Sequence, residues 1–360
     1  MTTFSVPTNW DPTLLDALRG LPISDVYGSL SQTPVGSGRP KLLLPEVDRA
    51  RAREHVASAR AQGIKFNYLL NAPCMGNREF NKAFHGELLE HLQWIDSLEV
   101  DAVTVSMPYL LRLIKRQFPR LRVKVSVIAQ VDSVPKARAY QDLGADEINV
   151  DYMCNRDFRT LEALRRSLSC ELTLLCNDVC LFQCPYRQYH YNATGHSTQP
   201  DGSGKGPYFD FSMVSCTIEK LRNPKQLIRS RWIRPEDLPV YEQLSFDKFK
   251  LSGRQMPTAW IVRLVNAYVA QSYSGNLGDL LSGSIPEPSG RVHYHIDNRQ
   301  LDGFLDHFKN RDCSVECHQC NYCETVANRV VTFPDPRVEP YLRSYEGLLE
   351  GLVNSDVIRM

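Results

Sequence analysis

Ser97-Leu-Glu-Val-Asp-Ala-Val-Thr-Val105, Asp142-Leu-Gly-Ala-Asp-Glu-Ile-Asn-Val150 and Gln243-Leu-Ser-Phe-Asp-Lys-Phe-Lys-Leu251 are three versions of one phrase. Each places a Leu at the end of a helical pattern, then a short turn, an Asp, and an apolar or alternating strand. Helix, tight turn and strand in that recurring order is the unit of a parallel α/β fold. Further strand patterns run over 23–30, 64–70, 123–129 and 171–175, separated by helical patterns over 47–62, 86–97, 109–118, 134–143 and 156–168. Pro108 and Pro135 sit near the starts of two of these helices, where a missing N–H costs little. Six strands by residue 175 and one near Phe249 approach eight. The pattern therefore predicts a TIM-like (β/α) barrel, regular or not. An open doubly wound sheet is the alternative, but no Gly-rich phosphate loop follows the first of these strands.

Residues 185–235 break the rhythm, and Thr198-Gln-Pro-Asp-Gly-Ser-Gly-Lys-Gly-Pro207 has the composition of a loop. Long segments at the carboxyl ends of barrel strands usually shape an active site. The expected organisation is a barrel over 1–284 with an inserted loop region at 185–235, then a small Cys-rich subdomain over 285–360. In that tail, a strand is expected over 291–295 and helices over 301–309 and 338–352.

The chain of 360 residues is 42% hydrophobic, enough for a sizeable core. Lys+Arg 42 against Asp+Glu 41 leaves a net charge of +1, which is not the basic footprint of a nucleic-acid binder. The first residues carry no basic flank followed by an apolar stretch of signal length, and the apolar run 259–270 is interrupted by Arg263 and Asn266. A cytoplasmic protein with no membrane span is expected.

Seven of the 11 cysteines crowd into two short windows, a usage that suggests metal chemistry in a reducing compartment rather than disulfides. The first window is Cys176-Asn-Asp-Val-Cys180-Leu-Phe-Gln-Cys184. Cys180 and Cys184 can share a metal site across one turn, and Cys216 can fold back from beyond the insertion. A four-iron cluster needs a fourth thiolate. Cys74 stands at the carboxyl end of its strand, on the same face of a parallel barrel as Cys180; Cys176 stands at a strand end, with its direction open. Cys154 and Cys170 are isolated and read as buried thiols.

The second window is Cys313-x3-Cys317-x2-Cys320-x2-Cys323. A continuous run with two-residue gaps is closer to ferredoxin-style ligation than to zinc, which usually pairs cysteines across a longer loop. The first three also have the radical-SAM spacing, but Cys323 could close the open iron and the run follows the barrel. Zinc is the alternative here. Around the expected mouth, Arg187 and Arg254 are candidates to bind an anion and His190 to move protons. Arg39, Asn71, Asn177, Asp178 and His196 lie on the same proposed face. Neither a Gly-x-Ser-x-Gly elbow nor a His-Glu-x-x-His helix is present.

Several stretches together resemble peptidase family U32, the collagenase-like peptidases. They are Asp25-Val-Tyr-Gly28, Ser37-Gly38-Arg39-Pro40, Phe66-Asn-Tyr-Leu-Leu-Asn-Ala-Pro-Cys74, Asn155-Arg156-Asp157-Phe158, Cys180-Leu-Phe-Gln-Cys184-Pro185, Trp232-Ile-Arg-Pro-Glu-Asp237 and Lys250-Leu-Ser-Gly-Arg254. The resemblance spans roughly residues 20–330 and is to a divergent branch, because the longer spacing between the first cysteines in the family's peptidase signature is not reproduced. It implies several expectations. Peptidase activity is attributed to some members. Others bind a 4Fe-4S cluster through four cysteines, and several of these take part in oxygen-independent hydroxylation, with prephenate implicated as an anionic oxygen donor. Cys74 matches the family position and becomes the favoured fourth ligand beside Cys180, Cys184 and Cys216. The expected function is redox modification of a small-molecule or biosynthetic substrate. A U32 peptidase and a non-catalytic iron–sulfur partner subunit in a heteromer are the rivals.

Overall fold

The computed structural model describes residues 1–200, 210–282 and 294–354. Eight parallel strands close into one barrel in chain order. They are β1 (Thr3–Pro7), β2 (Ile23–Gly28), β3 (Phe66–Leu70), β4 (Ala102–Val105), β5 (Arg122–Val125), β6 (Glu147–Asn149), β7 (Glu171–Leu175) and β8 (Lys248–Lys250). One helix follows each of the first six: α1 (Pro12–Leu18), α2 (Arg49–Ala61), α3 (Lys82–Ser97), α4 (Pro108–Gln117), α5 (Val134–Asp142) and α6 (Phe158–Ser167). Between β7 and β8 stand α7 (Arg187–Ser197), α8 (Phe211–Arg222), α9 (Lys225–Arg229) and α10 (Leu238–Gln243), and α11 (Thr258–Val269) follows β8.

The Asp of the repeated phrase has a physical purpose. Asp101 accepts a hydrogen bond from the backbone N–H of Phe66 at 2.8 Å, and Asp146 from that of Val123 at 2.7 Å. Each carboxylate thus satisfies a backbone donor at the start of the neighbouring strand, at the barrel's rim. At the third repeat the backbone carbonyl of Asp247 takes that role, accepting from Thr3 at 2.8 Å.

The sequence pattern missed β1, which closes the barrel by pairing with both β2 and β8. Five residues ending in Pro leave too short an alternation to stand out. Residues 185–235 are also more regular than expected, because α7, α8 and α9 occupy most of the described part. Helix α7 is mostly polar, so no apolar stripe marks it, although Pro185 precedes its start and Pro200 follows its end. Of the loop expected over 198–207, residues 201–207 lie outside the described residues, as do residues 291–293 of the expected strand; the described remainder of that strand enters β9 (His295–Ile296).

In the tail, β9 pairs antiparallel with β10 (Val331–Thr332). The helix expected over 301–309 is instead two short 3-10 turns, Asn298–Leu301 and Phe304–Phe308. Helices α12 (Cys313–Glu316), α13 (Tyr322–Val330) and α14 (Val338–Val353) complete it. Helix α13 packs on α9 and α14 on α8, and Ile296, Phe304, Phe308, Val326 and Tyr341 join the hydrophobic core of the barrel. No helix among the described residues is long and apolar enough to cross a membrane.

Apolar side chains alternate outward along the strands, against the helices. The inward positions are polar, unlike the branched apolar layers that usually fill such barrels. Lys124 on β5 reaches Asp25 on β2 at 2.7 Å and Glu147 on β6 at 3.0 Å, with all three side chains buried. Ser5 donates to Asp25 at 2.7 Å, Thr173 to Glu147 at 2.8 Å, and Lys248 reaches Glu147 at 3.0 Å. Burial opposes the charge on Lys124, but the two carboxylates outweigh it and hold the ammonium above its ordinary range.

Two histidines lie outside the barrel wall, under the helices. His55 on α2 bonds the hydroxyl of Thr8 at 2.8 Å, and His91 on α3 packs against Tyr68 and Trp94. Burial, with a nearby arginine adding to it, pushes His91 down to about 3 and His55 down to about 4. Both are therefore neutral in the folded chain, while the unfolded chain protonates them below its ordinary histidine pKa of about 6.5. Stability should be full above that value and fall as pH drops through the window down to about 4 for His55 and about 3 for His91. The expected slope is about 1 kcal/mol per pH unit for each histidine. Urea midpoints at about pH 7.5 and about pH 5 check this; His91→Gln should reduce the difference, and equal midpoints in the native chain would contradict it.

Candidate active site and two cysteine cavities

Strand β7 ends at Leu175, and the chain then crosses the carboxyl face of the barrel. Cys180 and Cys184 lie on this crossing, and Cys216 lies on α8. All three thiols line one cavity of ≈ 460 Å³ at the barrel mouth. The same cavity is lined by Arg39, Asp178, His190 and Lys220. Burial, with Asp178 adding to it, pushes the Cys180 thiol up to about 12; the Tyr152 hydroxyl and Lys220 pull the other way. Burial also raises Cys184.

The expected site residues divide into those the fold gathers and those it engages elsewhere. Arg187 opens α7, and its guanidinium forms a two-pronged pair with Asp151 at 2.7 Å on both arms. It also lies over the Tyr152 ring at 4.6 Å and donates to the Tyr191 hydroxyl at 3.3 Å. Arg187 therefore positions the floor beneath Cys180 and is not a free anion binder. His190 pairs through Nε2 with Asp210 at 2.9 Å. Arg254 is buried within the barrel mouth, donates to Ser29 at 2.8 Å, and does not line the cavity of thiols; burial lowers it to about 10. Asn71 and Asn177 bind loops together, Asn71 through Gly38 and Ser126, Asn177 through Ser252 and Leu280.

Neither candidate for a fourth thiolate joins the cavity. Cys176 is fully buried, with its thiol 3.8 Å from the Leu174 carbonyl, on the outward face among Tyr241 and Tyr268. Cys74 accepts at sulfur from the Gly76 N–H at 3.2 Å, and its carbonyl accepts from Gln199 at 2.7 Å. That glutamine lies just beyond the carboxyl end of α7, whereas Cys184 meets the amino end, where its carbonyl accepts from the Arg187 N–H at 3.3 Å. Helix α7, 11 residues and about 16 Å long, runs between these two contacts. Its carboxyl end is fixed by close approach: a Cβ on Gly195 would sit 2.9 Å from that of Ala72, and one on Gly36 2.5 Å from the Gly195 carbonyl.

Side chains absent from the sequence-based set complete the mouth. Lys220 on α8 is buried and donates to the Val179 carbonyl at 3.3 Å, with no carboxylate partner among the described residues. Lys250 ends β8 with its ammonium 4.0 Å from the Tyr27 ring, and burial lowers it to about 8. Lys124 and Lys250 were readable in principle, as lysines alternating with Val or Phe on a short strand.

In the tail, all four expected cysteines meet. Cys313 begins α12, Cys317 begins a 3-10 turn, Cys320 follows it in extended backbone, and Cys323 lies in the first turn of α13. Together they line a second cavity of ≈ 640 Å³ with Lys225, Arg229 and Arg311. Arg229 donates to the Cys317 sulfur at 2.9 Å, and His307 lies 3.5 Å from the Cys320 sulfur while stacking on Tyr322. His318 is exposed and bonds the Val315 carbonyl at 3.0 Å. Between the cavities, Arg231 lies 3.8 Å over Phe182, which sits between Cys180 and Cys184 in sequence. Among the described residues, no three Cys, His, Asp or Glu side chains converge as a single metal ion would require.

Residues 45–272 match the model of peptidase family U32. The chain belongs to that family. A curated relative from Methanocaldococcus jannaschii, named an uncharacterized protease, is 34% identical over 302 residues, covering 82% of this chain and 86% of the relative. The solved structure of the U32 peptidase Mk0906 is 25% identical with a TM-score of 0.54, over 70% of this chain and 93% of that one. The matched U32 region contains the barrel from α2 through α11 and the three mouth thiols, and it ends before the tail cysteines.

Proposed function

We propose that this U32 protein is an iron–sulfur enzyme that modifies a small anionic substrate by oxygen-independent redox chemistry, with hydroxylation as the favoured reaction. The observation that carries the reading is the gathering of seven thiols into two cavities, three at the barrel mouth and four in the tail, each beside cationic side chains. An all-thiol donor set suits iron–sulfur clusters or zinc. Zinc draws its ligands onto one point, and these thiols do not converge so. A cubane holds its thiolates around a larger body, and the tail cavity of ≈ 640 Å³ is lined by all four of its cysteines, which supports that reading.

Cys313, Cys317, Cys320 and Cys323 would hold one cluster, and Cys180, Cys184 and Cys216 a second. When bound, such clusters supply electrons and Lewis acidity. The chain's own residues supply the rest. Lys220 and Arg39 attract an anion into the mouth. His190, oriented by Asp210, can hold or release a proton at its imidazole. Arg187, held by Asp151, fixes Tyr191, which walls the cavity, and Tyr152 beside it.

The His190–Asp210 pair also supports a second reading, a cysteine peptidase of the type the family name suggests. A base oriented by a carboxylate is part of such a site. Against it, none of the mouth thiols has a hydrogen bond to His190 among those described, and burial raises Cys180 and Cys184 where an activated nucleophile needs the reverse.

Anaerobically purified protein should be brown and carry about eight irons per chain, as two cubanes require. Cells carrying it should form, without dioxygen, a product heavier by one oxygen, and Cys180→Ala should abolish that product. Colourless protein without iron after reconstitution would overturn the iron–sulfur reading. Casein-like peptide cleavage that survives Cys180→Ala and fails in His190→Ala would establish the peptidase.

A further inference from the structure

We infer that Lys250 is an imine-forming amine, presented by the barrel to condense with the carbonyl group of a small aldehyde or ketone. Lys250 lies outside both cysteine cavities, and this chemistry needs no metal at either of them. Three observations carry the assignment.

The first is placement. Lys248 reaches Glu147 inside the barrel at 3.0 Å, and Phe249 packs outward in the hydrophobic core. Lys250, two residues beyond Lys248, therefore points inward again, one layer nearer the mouth. It is the last residue of β8, and the reacting groups of such barrels stand at the carboxyl ends of their strands.

The second is isolation. Lys124 and Lys248 both have carboxylate partners, whereas the Lys250 ammonium has neither a hydrogen bond nor an ion pair among the described residues. It sits 4.0 Å over the Tyr27 ring, and the Tyr27 hydroxyl is already donated to the Leu251 carbonyl at 2.6 Å. Asp25 on β2 and Glu147 on β6 favour the charged form, but Lys124 stands between them and Lys248 adds to Glu147. Lys124 on β5 and Arg254, four residues beyond Lys250, favour the neutral amine, and burial does so more strongly than either. The remaining neighbours add little. Ser5 on β1 donates to Asp25, Glu171 on β7 is held by Lys248 and Arg122, and Asp178 beyond β7 lines the thiol cavity, which Lys250 does not. A buried ammonium without its own counter-charge is costly, and loss of the proton removes that cost and frees the lone pair. A lysine desolvated beside other cations is activated as a nucleophile toward carbonyl groups.

The third is access. Lys250 is 7% exposed, and its nitrogen is not sealed as the unpartnered Nε atoms of Arg156 and Arg231 are. So narrow an opening suits a small carbonyl compound and not a polypeptide. The amine adds through its lone pair to the carbonyl carbon. Water then leaves with the carbonyl oxygen and both amine hydrogens, and a C=N bond replaces C=O. No oxidant or reductant takes part.

The test uses the full chain with pentane-2,4-dione as the probe. A neutral amine condenses with it to an enaminone, which absorbs in the near ultraviolet, and releases water. At pH 8 an amine titrating at about 8 is half neutral, whereas an ordinary lysine is neutral to less than about 1%. Peptide mass mapping should therefore show Lys250 modified at least about tenfold faster than the exposed Lys82. The rate at Lys250 should rise with pH and reach half its plateau near pH 8. Propanal with cyanoborohydride should place a propyl group on Lys250 first, by hydride addition to the imine carbon. Lys250→Met should fold, because it removes a buried charge without leaving a partner unpaired, and should lose the ultraviolet product. Modification of Lys250 no faster than that of Lys82 would overturn the inference. So would a rate at Lys250 that climbs only above about pH 10, the ordinary lysine range. Both measurements are made on the native chain and neither depends on its iron content, so the iron–sulfur reading stands or falls separately.

Discussion

Lys124→Met should destabilise the chain by about 3–5 kcal/mol, the cost of leaving buried charges uncompensated. The lysine bridges Asp25 and Glu147 across the inside of the barrel, and all three are buried. Asp25 would then keep only the hydroxyls of Ser5 and Ser24, while Glu147 keeps Lys248 and Thr173. Methionine fills much of the lysine's volume, so lost packing contributes little. The measurement is the urea midpoint at neutral pH. Adding Asp25→Asn should recover part of the loss, because it removes the carboxylate that suffers most. A loss below about 1 kcal/mol would show that water or another cation reaches the barrel centre.

The second large effect belongs to Arg187. Arg187→Ala leaves Asp151 buried without a counter-charge, and should also cost about 3–5 kcal/mol. The damage should be local as well as global. The guanidinium joins Asp151, Tyr152 and Tyr191, and it opens α7 three residues after Cys184. Arg187→Lys keeps the charge but cannot reproduce two parallel bonds to one carboxylate, so about half of the loss should remain. Hydrogen exchange along α7 separates this positioning role from a direct catalytic one. Exchange there should quicken in the alanine variant and change less in the lysine variant. Unchanged exchange in both would mean that α7 is held by its carboxyl end alone, through Gly195 and Gln199.

What the sequence made legible follows how locally each feature is encoded. The tail cysteines occupy eleven residues of short turns, and no packing of the rest of the chain could scatter them far; they share one cavity. The parallel barrel was likewise legible, because three of its units repeat one turn phrase, and in two of them the Asp carboxylate caps the neighbouring strand. Strand β1 escaped notice because its alternation is five residues long and its partners lie 20 and 245 positions away, at Asp25 and Lys250. The polar barrel interior was written in the alternation of Val123-Lys-Val125 and Lys248-Phe-Lys250, yet which face of each strand turns inward depends on closure of the whole sheet.

The mouth was decided by tertiary structure. In sequence, Cys216 was expected to fold back to Cys180 and Cys184, and Cys74, favoured by the family resemblance, and Cys176 were the candidates for a fourth thiolate. Strand-end position placed these two near one face, but the direction of a side chain at a strand end is set by the pleat. That parity turns Cys176 outward. Helix α7, too polar to announce itself, sets its length between Cys74 and Cys184, while α8 carries Cys216 and Lys220 into the cavity. The partners of Arg187 and Arg254 were equally beyond the sequence, because an arginine's freedom to bind a ligand depends on whether the fold has already supplied it with a carboxylate or a hydroxyl. Local spacing fixed which groups must be close; only the packing of α7 and α8 over the barrel fixed which distant ones could be.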